Sequence, residues 1–287
     1  MSAQPVPAST LVLVRPGEAG LLVYLVRRSA ESRFLPGTYV FPGGVVEAQD
    51  RDPAILKGHV DLDGGEVDSR LGRGLQRDEA LAFAVAAVRE TFEETGVLLA
   101  RLGAGGAAAT PLGPPSSRRD GFLVQVVQRP LVLTISRLRP WAHWITPEAL
   151  AKRFDTRFFV AALPDGQACA PDETETTHGI WLSPREALER NHAGESALSP
   201  PTLTTLHELA PYAGVEDLLH AAEVRTWGEP RTPRLLRGPD GPVILLPWDP
   251  LYGEPIPGEA LAQLTTLPPG TPFSRLGMRH GFWRPVR

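Results

Sequence analysis

Glu90, Glu93 and Glu94 stand three and four residues apart. On an α-helix that spacing puts all three carboxylates on one face. Mutual repulsion gives such a helix nothing. A hard divalent cation, Mg²⁺ or Mn²⁺, takes oxygen ligands and relieves it. Ala80, Leu81, Ala84, Ala87 and Val88 make the rest of the segment apolar, so the helix is expected to pack into a core with the acids at its edge. Taken alone, Glu-x-x-Glu-Glu also fits a solvated acidic helix end with Arg89 as a local ion-pair partner.

The elements that must position these acids can be read from local patterns. Glu79–Thr95 reads as the best helix, with Asp78 as its expected N-cap and Gly96 at the C-terminal position that wants positive φ. Thr10–Val14 and Leu21–Arg27, split by Pro16-Gly17, read as a strand hairpin. Tyr39–Phe41 reads as a short strand running into Pro42-Gly43-Gly44, with Val45–Glu47 as its continuation. From Ala48 to Arg77 no strong period shows, and the expectation is a long loop with a helical turn near Pro53–Lys57. Val97–Ala100 reads as extended, and Gly121–Gln128 fits helix or strand. Trp141–Ile145, Thr156–Leu163, Gly179–Leu182 and Val243–Leu246 read as strands. Pro184–Asn191, Thr202–Leu209 and Gly214–Val224 read as helices, the first opened by Ser183-Pro184. Strands on both sides of one central helix argue an α+β or three-layer α/β/α arrangement. The Gly- and Pro-rich stretches Gly103–Pro115, Glu229–Pro242 and Pro247–Pro272 read as connections.

The chain has 287 residues, of which 42% are hydrophobic and 22% charged, with a formal net charge of −4. It is long enough for a sizeable core, and too acidic for a nucleic-acid coat. An anionic substrate then needs a metal or a local arginine cluster. A single cysteine, Cys169, rules out an intrachain disulfide and a Cys-based zinc site and fits a reducing compartment. The apolar stretches near the N-terminus are too short to span a bilayer, no secretory leader is evident, and Pro285-Val286-Arg287 is not a Ser-Lys-Leu type address. The expectation is a soluble cytoplasmic protein with no nucleic-acid or membrane partner.

Arg89-Glu90-Thr91-Phe92-Glu93-Glu94-Thr95-Gly96-Val97 resembles the second half of the Nudix box, with Thr91 a mild departure at an apolar position. Phe41-Pro42-Gly43-Gly44 resembles its opening, and Asp50 falls where a Glu is usual. Ordinary spacing would place the Arg at position 58. Its place at 89 implies a 31-residue insertion and leaves the role of Asp50 open. The resemblance implies a Nudix α/β/α sandwich over residues 8–195 with an insert at 48–78, and a C-terminal helical extension over 196–287. It implies Mg²⁺ or Mn²⁺ held by Glu90, Glu93 and Glu94, with Arg89 orienting a box glutamate and Gly43 and Gly44 letting backbone pass close to the metal loop. It implies hydrolysis of a P–O–P link. The general base is expected at Glu175, which precedes a Trp-containing strand; Glu173 competes with it.

The run from Arg28 to Gly44 also resembles the pattern that precedes the box in coenzyme A-cleaving Nudix proteins, including Arg28 and Arg33. Guanidinium suits the extra 3′-phosphate of coenzyme A. A structural reading makes Arg28 a strand end and Arg33 a turn brace. Trp141-Ala142-His143-Trp144, Arg153-Phe154-Asp155 and Trp181-Leu182-Ser183-Pro184 are similar to the acyl-CoA diphosphatase branch. These resemblances imply cleavage of coenzyme A or acyl-CoA to 3′,5′-ADP and (acyl-)4′-phosphopantetheine. ADP-ribose, NADH or another nucleoside diphosphate derivative is the alternative substrate, and a non-catalytic nucleotide-binding module is the alternative class. Residues 196–287 are expected to cover the acyl or pantetheine end of the site or to form a homodimer interface.

Overall fold

The computed structural model describes residues 3–18, 20–32, 35–72, 74–103, 122–129, 131–171 and 176–287. In chain order the strands are β1 (Val6–Gly17), β2 (Gly20–Arg28), β3 (Tyr39–Val40) and β4 (Gly43–Val45). Three helices follow, α1 (Pro53–Gly58), α2 (Gly64–Val67) and α3 (Arg77–Thr95). Next come β5 (Ala100–Leu102), α4 (Phe122–Gln128), β6 (Leu131–Leu133), β7 (Arg139–Ile145), β8 (Phe154–Ala162) and β9 (Thr176–Leu182). The chain continues with α5 (Pro184–Ala193), α6 (Pro200–Leu209) and α7 (Val215–Glu223), then β10 (Arg234–Gly238), β11 (Gly241–Leu245), β12 (Arg275–Arg279) and β13 (Phe282–Val286). The fold is mixed α+β.

The main sheet runs β3-β2-β1-β8-β7, with β4 also paired to β1 and β9 to β2. β1 pairs antiparallel with β2 and β4 but parallel with β8. Alternation along β1 explains why the sheet is covered on both faces. Leu11 and Leu13 pack with α3, while Val12 and Val14 pack on the opposite face, where α5, α6 and α7 lie. α3 is apolar nearly all round (Ala80 to Val88 are all at most 5% exposed), as a helix buried in a core must be.

Several sequence expectations are corrected. The N-cap of α3 is Gln76, not Asp78, and its side chain makes no cap bond. Asp78 and Glu79 instead occupy the first turn, where carboxylates oppose the positive end of the helix dipole. Residues 48–76 are not a bare loop. The expected helical turn near Pro53–Lys57 is α1, and α2, a short 3₁₀ turn and a π turn accompany it. Asp63 and Glu66 close a capping box around α2, with bonds of 2.9 and 2.8 Å. Ile55, Val67 and Leu71 are buried against the α3 core and hold the segment down. Extended chain after Gly96 becomes a strand only at Ala100, and the ambiguous stretch is helical from Phe122.

The C-terminal region is not a helical extension. After α6 and α7 it forms a four-stranded antiparallel sheet, β10-β11-β12-β13. Two tight turns build it. Pro239-Asp240 precedes Gly241 at φ 124°, and His280-Gly281, both left-handed at φ 51° and 84°, joins β12 to β13. Ile244, Leu246, Leu276 and Trp283 from this region share one buried cluster with Val12, Val23 and Trp141 of the main sheet. Among the described residues no helix is long and apolar enough to cross a membrane.

Because Leu276 is fully buried in that shared cluster, Leu276→Ala is expected to cost about 2–5 kcal/mol. Urea unfolding followed by tryptophan fluorescence and circular dichroism should show one coincident transition shifted to lower urea. Two separate transitions would show that the C-terminal sheet folds as its own unit.

Candidate functional site

The site is built where the last turns of α3 meet β4 and the 3₁₀ turn Ala48–Arg51. Thr91 and Thr95 face inward on this stretch and are fully buried. Their hydroxyls donate to the carbonyls of Ala87 and Thr91 at 2.7 and 2.6 Å, which satisfies them without a tertiary partner. α3 then stops at Gly96, left-handed at φ 75°, whose N–H donates to Phe92 O.

Arg89 is the centre, only 1% exposed. Its Nε and Nη2 donate to the two carboxylate oxygens of Asp50 at 2.8 and 2.9 Å. Nη2 also donates to Val45 O at 2.9 Å, and Nη1 donates to Glu90 Oε1 at 2.8 Å and Glu93 Oε2 at 3.2 Å. Burial works against the Arg89 charge, but the Asp50 hydrogen bonds and the charges of Glu90, Asp50 and Glu93 outweigh it and raise the pKa above the usual guanidinium range. Asp50 is itself wholly buried, and its second oxygen accepts the Glu47 N–H at 2.8 Å.

Glu94 lies on the β4 side of this centre. It is 4% exposed and accepts the Gly43 N–H at 3.1 Å. A Cβ on Gly44 would collide with the Glu90 carboxylate, and one on Gly43 with Ser9 O of β1. Close backbone approach is therefore the reason for both glycines. Burial raises the pKa of Glu93 to about 7. Arg89 opposes that rise, and the negative charges of Glu90 and Glu47 add to it.

The structure therefore brings Arg89, Glu90, Glu93, Glu94, Gly43 and Gly44 together. It adds Asp50, whose role the altered box spacing left open, and Glu47, which the sequence reading did not single out. The usable signals were the six-residue step from Gly44 to Asp50 and the Glu47-x-x-Asp50 pattern of a capping box, both closed in the fold. Arg28 ends β2 and both its Nε and Nη2 donate to Ser32 Oγ, at 3.3 and 3.1 Å. Arg33, Glu173 and Glu175 lie outside the described residues.

Among the described residues no three His, Cys, Asp or Glu side chains converge as a ready metal cage. Glu90 and Glu93 both turn an oxygen to Arg89. The donor chemistry nevertheless fits a hard divalent cation. Asp50, Glu90 and Glu93 all turn to one guanidinium and Glu94 holds the adjoining Gly43 N–H, so carboxylate is in excess; the Glu90 and Glu47 charges add to the rise that burial gives the Glu93 pKa.

The family profile described as the NUDT19 Nudix domain matches residues 66–209. A human protein named acyl-coenzyme A diphosphatase NUDT19 is 32% identical over 278 residues, covering 83% of this chain and 74% of its own. The Gallus gallus protein of the same name is 32% identical and covers 80% of this chain and 72% of its own. A crystal structure of a NUDIX hydrolase from Alicyclobacillus acidocaldarius aligns with a TM-score of 0.64 at 29% identity, over 79% of this chain and 99% of its own.

Removing Asp50 leaves Arg89 buried with its main counter-ion gone. Asp50→Ala is expected to lower stability by about 3–5 kcal/mol in urea titrations. A loss below about 1 kcal/mol would show that the pair does not hold the site.

Proposed function

This chain belongs to the NUDT19 type of Nudix hydrolase, and from that premise we propose that it hydrolyses coenzyme A or acyl-CoA to 3′,5′-ADP and (acyl-)4′-phosphopantetheine. It is a Nudix pyrophosphohydrolase. The supporting observation in this chain is the carboxylate cluster on α3, held by Arg89 against the Gly43-Gly44 backbone. The named substrates of the NUDT19 relatives support the choice of diphosphate.

In this reading Glu90, Glu93 and Glu94 hold Mg²⁺ or Mn²⁺. Such ions neutralise charge at the diphosphate and acidify bound water. The chain's own residues do the rest. Arg89 fixes the rotamers of Glu90 and Glu93, so both carboxylates keep their place on the exposed side of the cluster. Gly44 lets the Glu90 carboxylate sit against the β4 backbone. Arg28 and Arg33 bind phosphate groups of the substrate, one of them the 3′-phosphate. Arg28 lies opposite Thr176 where β2 pairs with β9. Glu175, the residue before Thr176, is our general base, with Glu173 as its competitor. It takes a proton from the attacking water as the P–O bond to the leaving phosphate breaks. Residues 8–195 form the catalytic domain in this proposal, with 48–78 inserted in its box loop and 196–287 packed on it.

Glu93→Gln and Glu94→Gln should each lower kcat by about 100-fold or more, beyond the typical effect of changing an outer-shell partner, with urea midpoints close to wild type. Near-normal turnover in both would remove the metal assignment. A panel of coenzyme A, acyl-CoA, NADH and ADP-ribose with Mg²⁺ or Mn²⁺ tests the substrate. Faster turnover of ADP-ribose than of coenzyme A would reject our choice, and no turnover of any would reject catalysis. Arg33→Ala should raise KM for coenzyme A more than for the analogue lacking the 3′-phosphate. Equal effects would make Arg33 a structural residue.

A further inference from the structure

After α7 the chain from Arg225 to Arg231 turns back along the outer edge of β7. The Arg231 N–H donates to His143 O at 2.8 Å, and Arg231 O accepts the Ile145 N–H at 3.0 Å. This strap, α6 and the Pro247-Trp248 corner border an open cleft of about 590 Å³. That is the size of a small-molecule site, far larger than a single ordered water needs. Its walls carry Trp141, Trp227, Trp248, Arg225, Arg231 and Glu208.

The wall carries two arginines and two glutamates, but only one of the glutamates pairs with the arginines among the described residues. Among the described residues Glu208 is the one carboxylate that both guanidiniums reach. Its Oε1 lies 2.8 Å from Arg231 Nη2, and its Oε2 lies 3.3 Å from Arg225 Nη2 while also accepting Trp141 Nε1–H at 2.9 Å. Glu229 stands exposed on the rim and pairs with neither arginine among the described residues. Burial lowers the Arg225 pKa, and the neighbouring Arg231 charge lowers it further, against the pull of Glu208. Arg231 Nη1 is buried with no hydrogen-bond acceptor among the described residues. Nη1 is sealed from solvent, so an anionic oxygen would meet the accessible parts of the two guanidinium side chains, 30% exposed for Arg225 and 17% for Arg231, and supply a second counter-charge there.

The aromatic wall is ready for a flat ring. Whereas Trp141 and Trp227 are buried at 1% and 3%, Trp248 is 45% exposed at this concave site. Its orientation is fixed by an Nε1–H bond to Phe273 O at 2.9 Å, and the Arg231 guanidinium sits 5.6 Å from its ring centroid. Trp227 is held as firmly, by a 3.2 Å bond to Leu71 O and edge-to-face contact with Phe159 at 4.8 Å. The site is thus preformed, with little ordering left for a ligand to impose.

We propose that this cleft is a second ligand site, for a purine nucleotide whose base stacks on Trp248 and whose phosphate meets the Arg225–Arg231 pair. It is separate from the carboxylate site. One row of the sheet links Gly44 to Ser9, Ser9 to Arg157 and Arg157 to His143, and Trp144, next to His143, bridges to Arg231. Four such steps span about 19 Å at the usual strand spacing. The proposal therefore does not rest on the substrate chosen above.

The test is equilibrium dialysis of the full chain with radiolabelled 5′-AMP in EDTA, competed by adenosine and by inorganic phosphate. We expect saturable binding below about 1 mM, with both competitors at least ten-fold weaker than 5′-AMP. Trp248→Ala should weaken binding about ten-fold or more, the loss that follows removal of one stacking ring. The same variant should leave coenzyme A hydrolysis without 5′-AMP unchanged. Arg231→Gln, where it folds, should weaken 5′-AMP but not adenosine. Absence of binding would overturn the proposal, as would binding untouched by Trp248→Ala. Adenosine as tight as 5′-AMP would remove the anion contact, and phosphate as tight would remove the stacking contact. Binding lost in Glu94→Gln but kept in Trp248→Ala would place the nucleotide in the carboxylate site and overturn the proposal. None of these outcomes bears on the hydrolysis panel, so the two readings fail independently.

Discussion

A single buried guanidinium organises this protein's carboxylates. Arg89 carries its charge in a place water does not reach, and it is tolerable there only because Asp50 meets it with both oxygens. That pair commits the Nε–Nη2 edge of the guanidinium. Nη1 is left over, and it draws Glu90 and Glu93 to the same side of α3. The negative charge that gathers there exceeds what one arginine neutralises. A helix arranged for stability alone would not keep such an excess at the edge of its core. The excess is the physical reason for reading the cluster as a cation site.

The position of Asp50 depends in turn on the segment that separates it from Arg89. Asp50 closes a capping turn with Glu47, and the chain then wanders through α1, α2 and the π turn before returning into α3. Loop closure grows only slowly more costly with length. The separation is therefore affordable so long as its ends are fixed. Buried Ile55, Val67 and Leu71 fix the body, and the Arg77–Asp68 ion pair ties the end of the segment to the start of the helix. Asp61 adds a further tie, accepting the N–H of Ser136 at 2.9 Å.

Much of this was legible from residues alone, and the reasons for the remainder are physical. α3 showed through its apolar run, its acids at helical spacing and Gly96. β1, β2, β7 and β8 showed because strands buried on both faces carry short continuous runs of Leu, Val and aromatic residues. The Arg89–Asp50 pair did not show, since the two stand far apart in sequence and only the fold reveals that the loop returns. Of the short helices before α3, α1 showed as a turn near Pro53–Lys57, while α2 was hidden because a four-residue helix has no period to detect. Its signal was the Asp63-x-x-Glu66 cap, which is easily passed over among glycines. In the C-terminal sheet Val243–Leu246 was read as a strand and corresponds to β11, but β10 was passed over as a connection because its neighbouring Pro and Gly residues look like breaks. In the fold they are the turns of hairpins, at Pro239-Asp240-Gly241 and His280-Gly281. Thr91 looked like a departure from an apolar position. A hydroxyl bonded to the carbonyl one turn back fills that place without leaving a polar group unsatisfied.

The polar row under α3 explains how the carboxylate face keeps its height above the sheet. Ser9, Arg157 and His143 are neighbours across β1, β8 and β7, and all three are buried. An apolar row there would let α3 slide, because dispersion contacts are not directional. Ser9 Oγ instead donates to Phe83 O at 2.6 Å, a contact that only one rotation and one translation of α3 permit. Arg157 lies over the Phe83 ring on one side and the Trp227 ring on the other, and His143 holds Asp155 at 2.7 Å beside it. The Arg157 Nε finds no hydrogen-bond acceptor, so part of its stabilisation comes from the two ring faces and the nearby Asp155 charge. Specific polar contacts thus set the register of α3, and Gly44 shares their row at the far end. The distance between the Gly44 backbone and the Glu90 carboxylate is inherited from that register.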